Sequence, residues 1–256
     1  MSLSRGFLAA YVMWLRELKR FWRSRSRVFA TVVQPLLWFA LFGVGFGSSF
    51  RFVGMSMEYI VFLAPGVVAI SVFFSSLFGG ISVIWDRRFG FLKEIMVAPV
   101  SRTSIILGRT AGVATTSAIQ GLLVLTIAFL VFPGFLNLSG LPLSIVTMTL
   151  IALIFSGMGL AIGSRMKSPE GFHLIQSFLS LPLFILSGAF FPLVNLPTWM
   201  KALSYIDPLT YGVDALRITL VGFGNFSIWV DYSLMITISI AMILFGAYVF
   251  TKTSLE

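Results

Sequence analysis

The 256-residue chain has no cysteine and a single histidine, His173. Without cysteine there is no disulfide framework and no thiolate metal site, and the redox compartment stays open. No His-Glu metal motif occurs, and a lone histidine at the mouth of an apolar stretch reads as structural rather than as a ligand or proton relay. No lysine follows a glycine, so a G-x-x-x-x-G-K-[ST] phosphate loop is absent. Only 11% of residues are charged, and no pair of acids falls deep in an apolar run, where ion-driven carriers place their ionisable groups. The net charge is +9, but the bases flank apolar runs and form no separate face with stacking aromatics. That argues against nucleic acid as a partner.

Apolar side chains dominate what remains. They make up 58% of the chain, with a mean hydropathy of +0.99, well beyond soluble domains. Runs of about 20 apolar residues read as membrane spans. They predict an all-α polytopic membrane protein with six transmembrane helices, near 28–50, 58–85, 105–132, 143–164, 172–191 and 229–250. The whole chain, 1–256, is then one transmembrane domain. Pro35, Pro65 and Pro182 mark bends within spans. Gly43-x-x-x-Gly47 and Gly159-x-x-x-Gly163 give small-residue faces for close helix contact.

Residues 5–27 carry Phe7, Leu8, Tyr11, Leu15, Leu18 and Trp22 at helical spacing, with Arg16, Lys19, Arg20, Arg23 and Arg27 on the other side. This predicts a basic amphipathic helix lying in the headgroup plane rather than a cleavable signal. Between spans two and three, the loop 86–104 is the longest strongly polar interruption of the apolar sequence. Gly90 ends what precedes it, Phe91 to Ala98 form about two helical turns, and Pro99 stops them. Ser101 caps the next helix, which leaves Arg102 and Arg109 near the membrane surface. Bases gather before span one, in this loop, in the turn 165–170 and at Lys252, whereas the opposite side holds Arg51, Lys201 and Arg217. The positive-inside rule therefore puts both termini in the cytoplasm.

The stretch 192–228 is too proline-broken to span and too apolar for a solvated loop. Pro197 opens one short helix, and Asp207-Pro208 caps and opens a second, on which Asp214 and Arg217 sit three apart. Two helices that dip into the outer leaflet and return fit this pattern, provided protein or water covers their backbone.

The run Lys93 to Arg102 (KEIMVAPVSR), followed by Gly108-Arg109, resembles the cytoplasmic loop of ABC-2 type transporter permeases, the membrane subunits of prokaryotic ABC exporters. Phe191-Pro192-Leu193, Leu196-Pro197-x-Trp199 and Asp207-Pro208-Leu209-Thr210-Tyr211 through Arg217 resemble the re-entrant helices before the last span of the same family. The resemblance covers essentially the whole chain. It implies a multi-pass protein of the prokaryotic cell membrane that pairs with a second permease copy, the same or homologous, and with separate ATPase subunits. ATP and magnesium then belong to those subunits, and this chain is not itself an enzyme. Phe91, Leu92, Lys93, Glu94, Ile95 and Met96, with Arg102, become the coupling surface. Arg16, Lys19, Arg20 and Arg23 become the interfacial helix beside the ATPase. Pro197, Trp199, Asp207, Pro208, Tyr211, Asp214 and Arg217 become an outer gate. A path for an amphipathic or lipid-linked cargo (drug, glycolipid or polysaccharide) runs along spans one, two and five. The alternatives are an ion-gradient-driven carrier and a membrane scaffold without transport.

Overall fold

The structure, a computed structural model, describes residues 3–45, 59–91, 100–131 and 137–252, and every regular element among them is helical. In order these are α1 (Leu3–Arg23), α2 (Arg25–Trp38) running into a π-helical segment (Phe39–Val44), α3 (Tyr59–Phe78), α4 (Ile81–Arg88) and α5 (Arg102–Val131). There follow α6 (Leu141–Arg165), α7 (Pro169–Leu186), α8 (Thr198–Ser204), α9 (Pro208–Val221) and α10 (Ile228–Thr251). Most of the loop peptide, 92–99, lies outside the described residues, as does Gly47 of the first small-residue motif.

Among the described residues, four helices are long and apolar enough to cross a membrane: Tyr59–Arg88, Arg102–Val131, Leu138–Arg165 and Ile228–Thr251. Six were expected. The fifth expected span, 172–191, corresponds to the 18 residues of α7, which start earlier, after the Ser168 cap, and end earlier, where Gly188, at φ 74°, turns the chain. The first is described only as α2 and its π-helical continuation, whose apolar part covers Val33–Gly43.

Helix α6 is the centre of the bundle, packed on α3, α5, α9 and α10. Small residues let it sit there. A Cβ on Gly80, at the α3–α4 junction, would collide with the Gly159 carbonyl, and one on Gly163 with the Gly80 carbonyl. The Gly159-x-x-x-Gly163 motif thus packs as its spacing predicts, backbone against backbone. Further along α6, a Cβ on Gly157 would come within 2.7 Å of the Met242 carbonyl of α10. Hydroxyls stitch the spans: Ser144 to Thr219 at 2.9 Å, Thr147 to Tyr232 at 2.9 Å and Ser75 to Ser117 at 3.0 Å.

Helices α6 and α10 run parallel. Tyr232 near the start of α10 donates to Leu143 O near the start of α6, and Gly246 meets Gly157 deeper in the bundle. Arginines of the loop region cap both helices at one face. Arg87 donates to Ser164 O (2.6 Å) and Met166 O (3.2 Å), and Arg102 to Thr251 O (2.6 Å). The last carbonyls of a helix welcome such cations. The C-terminal ends of α4, α6 and α10 and the start of α5 therefore share one face, called the loop face below.

A charge cluster at the loop face, a cavity and a pair of short helices

Helix α1 packs along α5 at the loop face. It buries Met13, Glu17 and Phe21, at helical spacing, while Phe7, Leu8, Tyr11 and Trp22 stay exposed. These four residues form an exposed apolar stripe on α1. The buried third face departs from a simple two-sided amphipath. Its cause is on α5, where Gly108 admits the Ala10 backbone and Gly112 admits the Glu17 side chain.

That contact assembles a cluster of four charges. The Arg109 guanidinium donates to Asp86, and its Nε lies 3.6 Å from Glu17 Oε1. Arg16 grips the same Asp86 carboxylate at both oxygens, at 2.6 and 3.3 Å. Arg109, expected near the membrane surface, is 1% exposed: at the loop face it is buried between two acids. Arg16 likewise leaves the free cationic stripe. Burial lowers its guanidinium from the ordinary value, with Glu17 beside it acting in the opposite direction. Lys19, Arg20 and Arg23 line an open basin beside it. The cluster reaches the loop itself, because the Arg16 guanidinium lies over the Phe91 ring at 4.0 Å. Of the expected coupling residues, Phe91 and Arg102 are described, Arg102 as the cap of α10; Leu92, Lys93, Glu94, Ile95 and Met96 lie outside the described residues.

Between α2, α3 and α7 lies a cavity of about 410 Å³. Its wall includes Gln34, Trp38, Ser71, Phe74, Gln176 and Phe190, and among the described residues no Asp, Glu, Lys or Arg lines it. The π-helical turn begins just after Trp38, which stacks on Phe42 and meets Phe190 edge-on. His173 lines the cavity, its ring against Phe78.

The stretch 192–228 folds as its prolines dictate. Pro197 precedes α8, and Asp207 caps α9 through Leu209 N (2.9 Å), with Pro208 in the first turn. Trp199 is exposed on α8, and the Tyr211 hydroxyl donates to Tyr205 O. Asp214 and Arg217 do not pair with each other, contrary to their spacing. Asp214 accepts from Asn225 N and Phe226 N, closing the turn after α9. Arg217 donates to Gly188 O (3.0 Å) and lies 3.9 Å over the Phe62 ring. Both are fully buried, because tertiary partners on two sides displaced the local i, i+3 contact. Asp231, in the first turn of α10, is also buried, with no hydrogen-bond partner among the described residues.

The sequence model of the ABC-2 type transporter family matches residues 9–221. The inner membrane transport permease YadH of Escherichia coli K12 is 27% identical over 241 residues, 93% of each chain. A transport permease of Pyropia yezoensis, ycf38, is 29% identical over 206 residues, 79% of this chain and 70% of that one. Nodulation protein J of Rhizobium leguminosarum bv. viciae is 24% identical over 227 residues, 86% and 85% of the two chains. The matched segment takes in most of α1, the charge cluster, the cavity and both short helices α8 and α9. This chain therefore belongs to the ABC-2 type transporter family and is a membrane permease.

Proposed function

We propose that the chain is the gate of an ATP-driven exporter, moved by separate ATPase subunits that bear on loop 86–104 and paired with a second permease around the cargo path. The observation that carries this is the cluster Arg16–Asp86–Arg109–Glu17. It ties the interfacial helix, the end of α4 and the start of α5 into one unit at the two ends of the loop. A push on Phe91 to Ala98 then reaches α3 through α4, and α1 through Arg16 and Phe91. Phe91, Ile95 and Met96 form the docking face, with Lys93 and Glu94 setting register. The missing phosphate loop agrees with an engine on another chain.

Six crossings follow on this reading. Parallel α6 and α10 need a return crossing between them, and α7, about 27 Å long at 1.5 Å per residue, supplies it. A chain that leaves α1 at the loop face and packs Gly43 against Ile60 at the start of α3 crosses likewise through α2. The termini are cytoplasmic by the positive-inside rule. The cavity between α2, α3 and α7 is part of the path for an amphipathic cargo. Helix α8, with Trp199 outward, is the movable half of the outer gate, since α9 is pinned from both sides.

The test is ATP hydrolysis by the purified permease–ATPase complex. Phe91→Ala and Glu94→Ala should each lower permease-stimulated hydrolysis several-fold while the complex stays assembled. Unchanged stimulation in both removes the lever. Uphill cargo movement by the chain alone under an ion gradient removes the ATPase.

A further inference from the structure

Helix α1 has three faces, and at about 3.6 residues per turn each takes roughly a third of the circle. Met13, Glu17 and Phe21 pack into the bundle, and Phe7, Leu8, Tyr11 and Trp22 make the exposed apolar stripe. Lys19, Arg20 and Arg23 share the third face, where with Val12 and Leu15 they line the open basin. The row Leu8, Val12, Leu15 and Lys19, spaced four, three and four apart, is the seam between stripe and basin. Beneath the basin the charge cluster is neutral by itself, Arg16 and Arg109 set against Asp86 and Glu17. Lys19, Arg20 and Arg23 form no salt bridge among the described residues. Three unmatched positive charges therefore stand within about 6 Å of helix rise, directly beside hydrocarbon.

An acidic segment of another protein and an anionic lipid both bring negative charge to such a face. The seam decides between them. Phe7 and Trp22 are 77% and 67% exposed. An acidic protein segment satisfies the bases but leaves that stripe in water. A lipid brings charge and acyl chain side by side, in the order in which α1 presents bases and apolar side chains. The headgroup follows from the charge. One phosphodiester carries a single negative charge against three bases, and a basin of about 1000 Å³ has room for a larger headgroup. Basic clusters of this kind attract anionic lipid by about fivefold in affinity for each Lys or Arg.

We infer that α1 holds a lipid with a two-phosphate headgroup, of the diphosphatidylglycerol class. Its phosphates sit on Lys19, Arg20 and Arg23, and its acyl chains run along Tyr11, Leu15 and Trp22. The experiment uses the full chain in phosphatidylcholine nanodiscs containing either tetraoleoyl cardiolipin or dioleoyl phosphatidylglycerol at equal total lipid charge. Native mass spectrometry then counts the lipid that each chain keeps. Cardiolipin should remain, one molecule per chain, and be held at least about fivefold more tightly than phosphatidylglycerol. Lys19→Gln and Arg23→Gln should each weaken retention about fivefold, and together about thirtyfold. Both side chains are exposed, so these variants keep the fold. Lys167→Gln removes the same charge from the turn after α6 and should change nothing. Soluble pyrophosphate, which has no chains, should not displace the lipid, nor should added ATPase subunit. Equal retention of the two lipids would reduce the site to diffuse charge and overturn it, as would unchanged retention in the double variant. Displacement by pyrophosphate would make the basin a free-anion site, and displacement by the ATPase would make it a protein-docking face; either overturns the lipid. Retention is measured without ATP or ATPase. Its failure therefore leaves the coupling reading standing, and failure of coupling leaves the lipid result interpretable.

Discussion

Both faces of this bundle bury charges, and they do so in opposite ways. At the loop face, charge meets charge: Arg16 and Arg109 share Asp86, and Glu17 stands beside Arg109. At the far face, charge meets backbone: Asp214 takes two main-chain N–H groups, and Arg217 donates to the Gly188 carbonyl over an aromatic ring. Side-chain ion pairs can exchange partners without unfolding a helix, whereas main-chain caps hold a turn in one shape. On the proposed coupling, the difference puts motion at the loop face and anchoring at the pinned helix α9.

The largest effect should come from Asp86→Ala, which leaves Arg109 buried without its principal partner. Thermal unfolding of the detergent-solubilised chain should show a loss of about 3–5 kcal/mol. The pair Asp86→Leu with Arg109→Met should recover most of that stability, since a buried ion pair is often replaceable by apolar residues. It should still leave ATPase stimulation impaired. Full recovery of both would make the cluster mere filler and erase the contrast between the faces.

Arg217→Met should cost less, about 1.5–3 kcal/mol, because it removes one charged hydrogen bond and leaves Asp214 with its own N–H donors. A cost equal to that of Asp86→Ala would mean the far face is also an ion-pair network. Asp207→Ala should remove an N-cap and cost about 1 kcal/mol, seen as earlier melting of the hairpin by hydrogen exchange. Arg102→Ala comes last. Its bond to Thr251 O is exposed, so less than about 1 kcal/mol should be lost, and added salt should shrink the difference further.

Local chemistry made much of this legible in the sequence. Gly90 stops α4 in a left-handed turn, Ser101 accepts from Ser104 N at the start of α5, Pro197 precedes α8, and Asp207-Pro208 opens α9. Each is set by residues within a few positions. The Gly159 motif packs as its spacing predicts, because a missing side chain has the same meaning wherever its partner lies. The charge cluster was hidden, since Glu17 and Arg109 are far apart in sequence and meet only after α1 docks on α5. The one hint is that Glu17 is the only acid on an otherwise basic helix. Arg217 misleads for a related reason: its neighbour Asp214 is nearer in sequence than Gly188 and Phe62, but tertiary contacts won. The limits of α7 lie upstream of the expected 172–191 at both ends, set by the Ser168 cap and the Gly188 turn, features whose force depends on the surrounding fold.

The absence of cysteine allows a direct test of the central claim, that an ATPase drives this permease through its loop. A single cysteine is placed at Glu94 or, as a control on the far face, at Trp199, and a short thiol crosslinker is applied in native membranes. The account predicts that Glu94→Cys captures an ATPase subunit, with a yield that changes when ATP is bound, and that Trp199→Cys captures none. A loop cysteine that never reaches an ATPase, in membranes where the far-face cysteine reacts normally with a soluble thiol reagent, would contradict it.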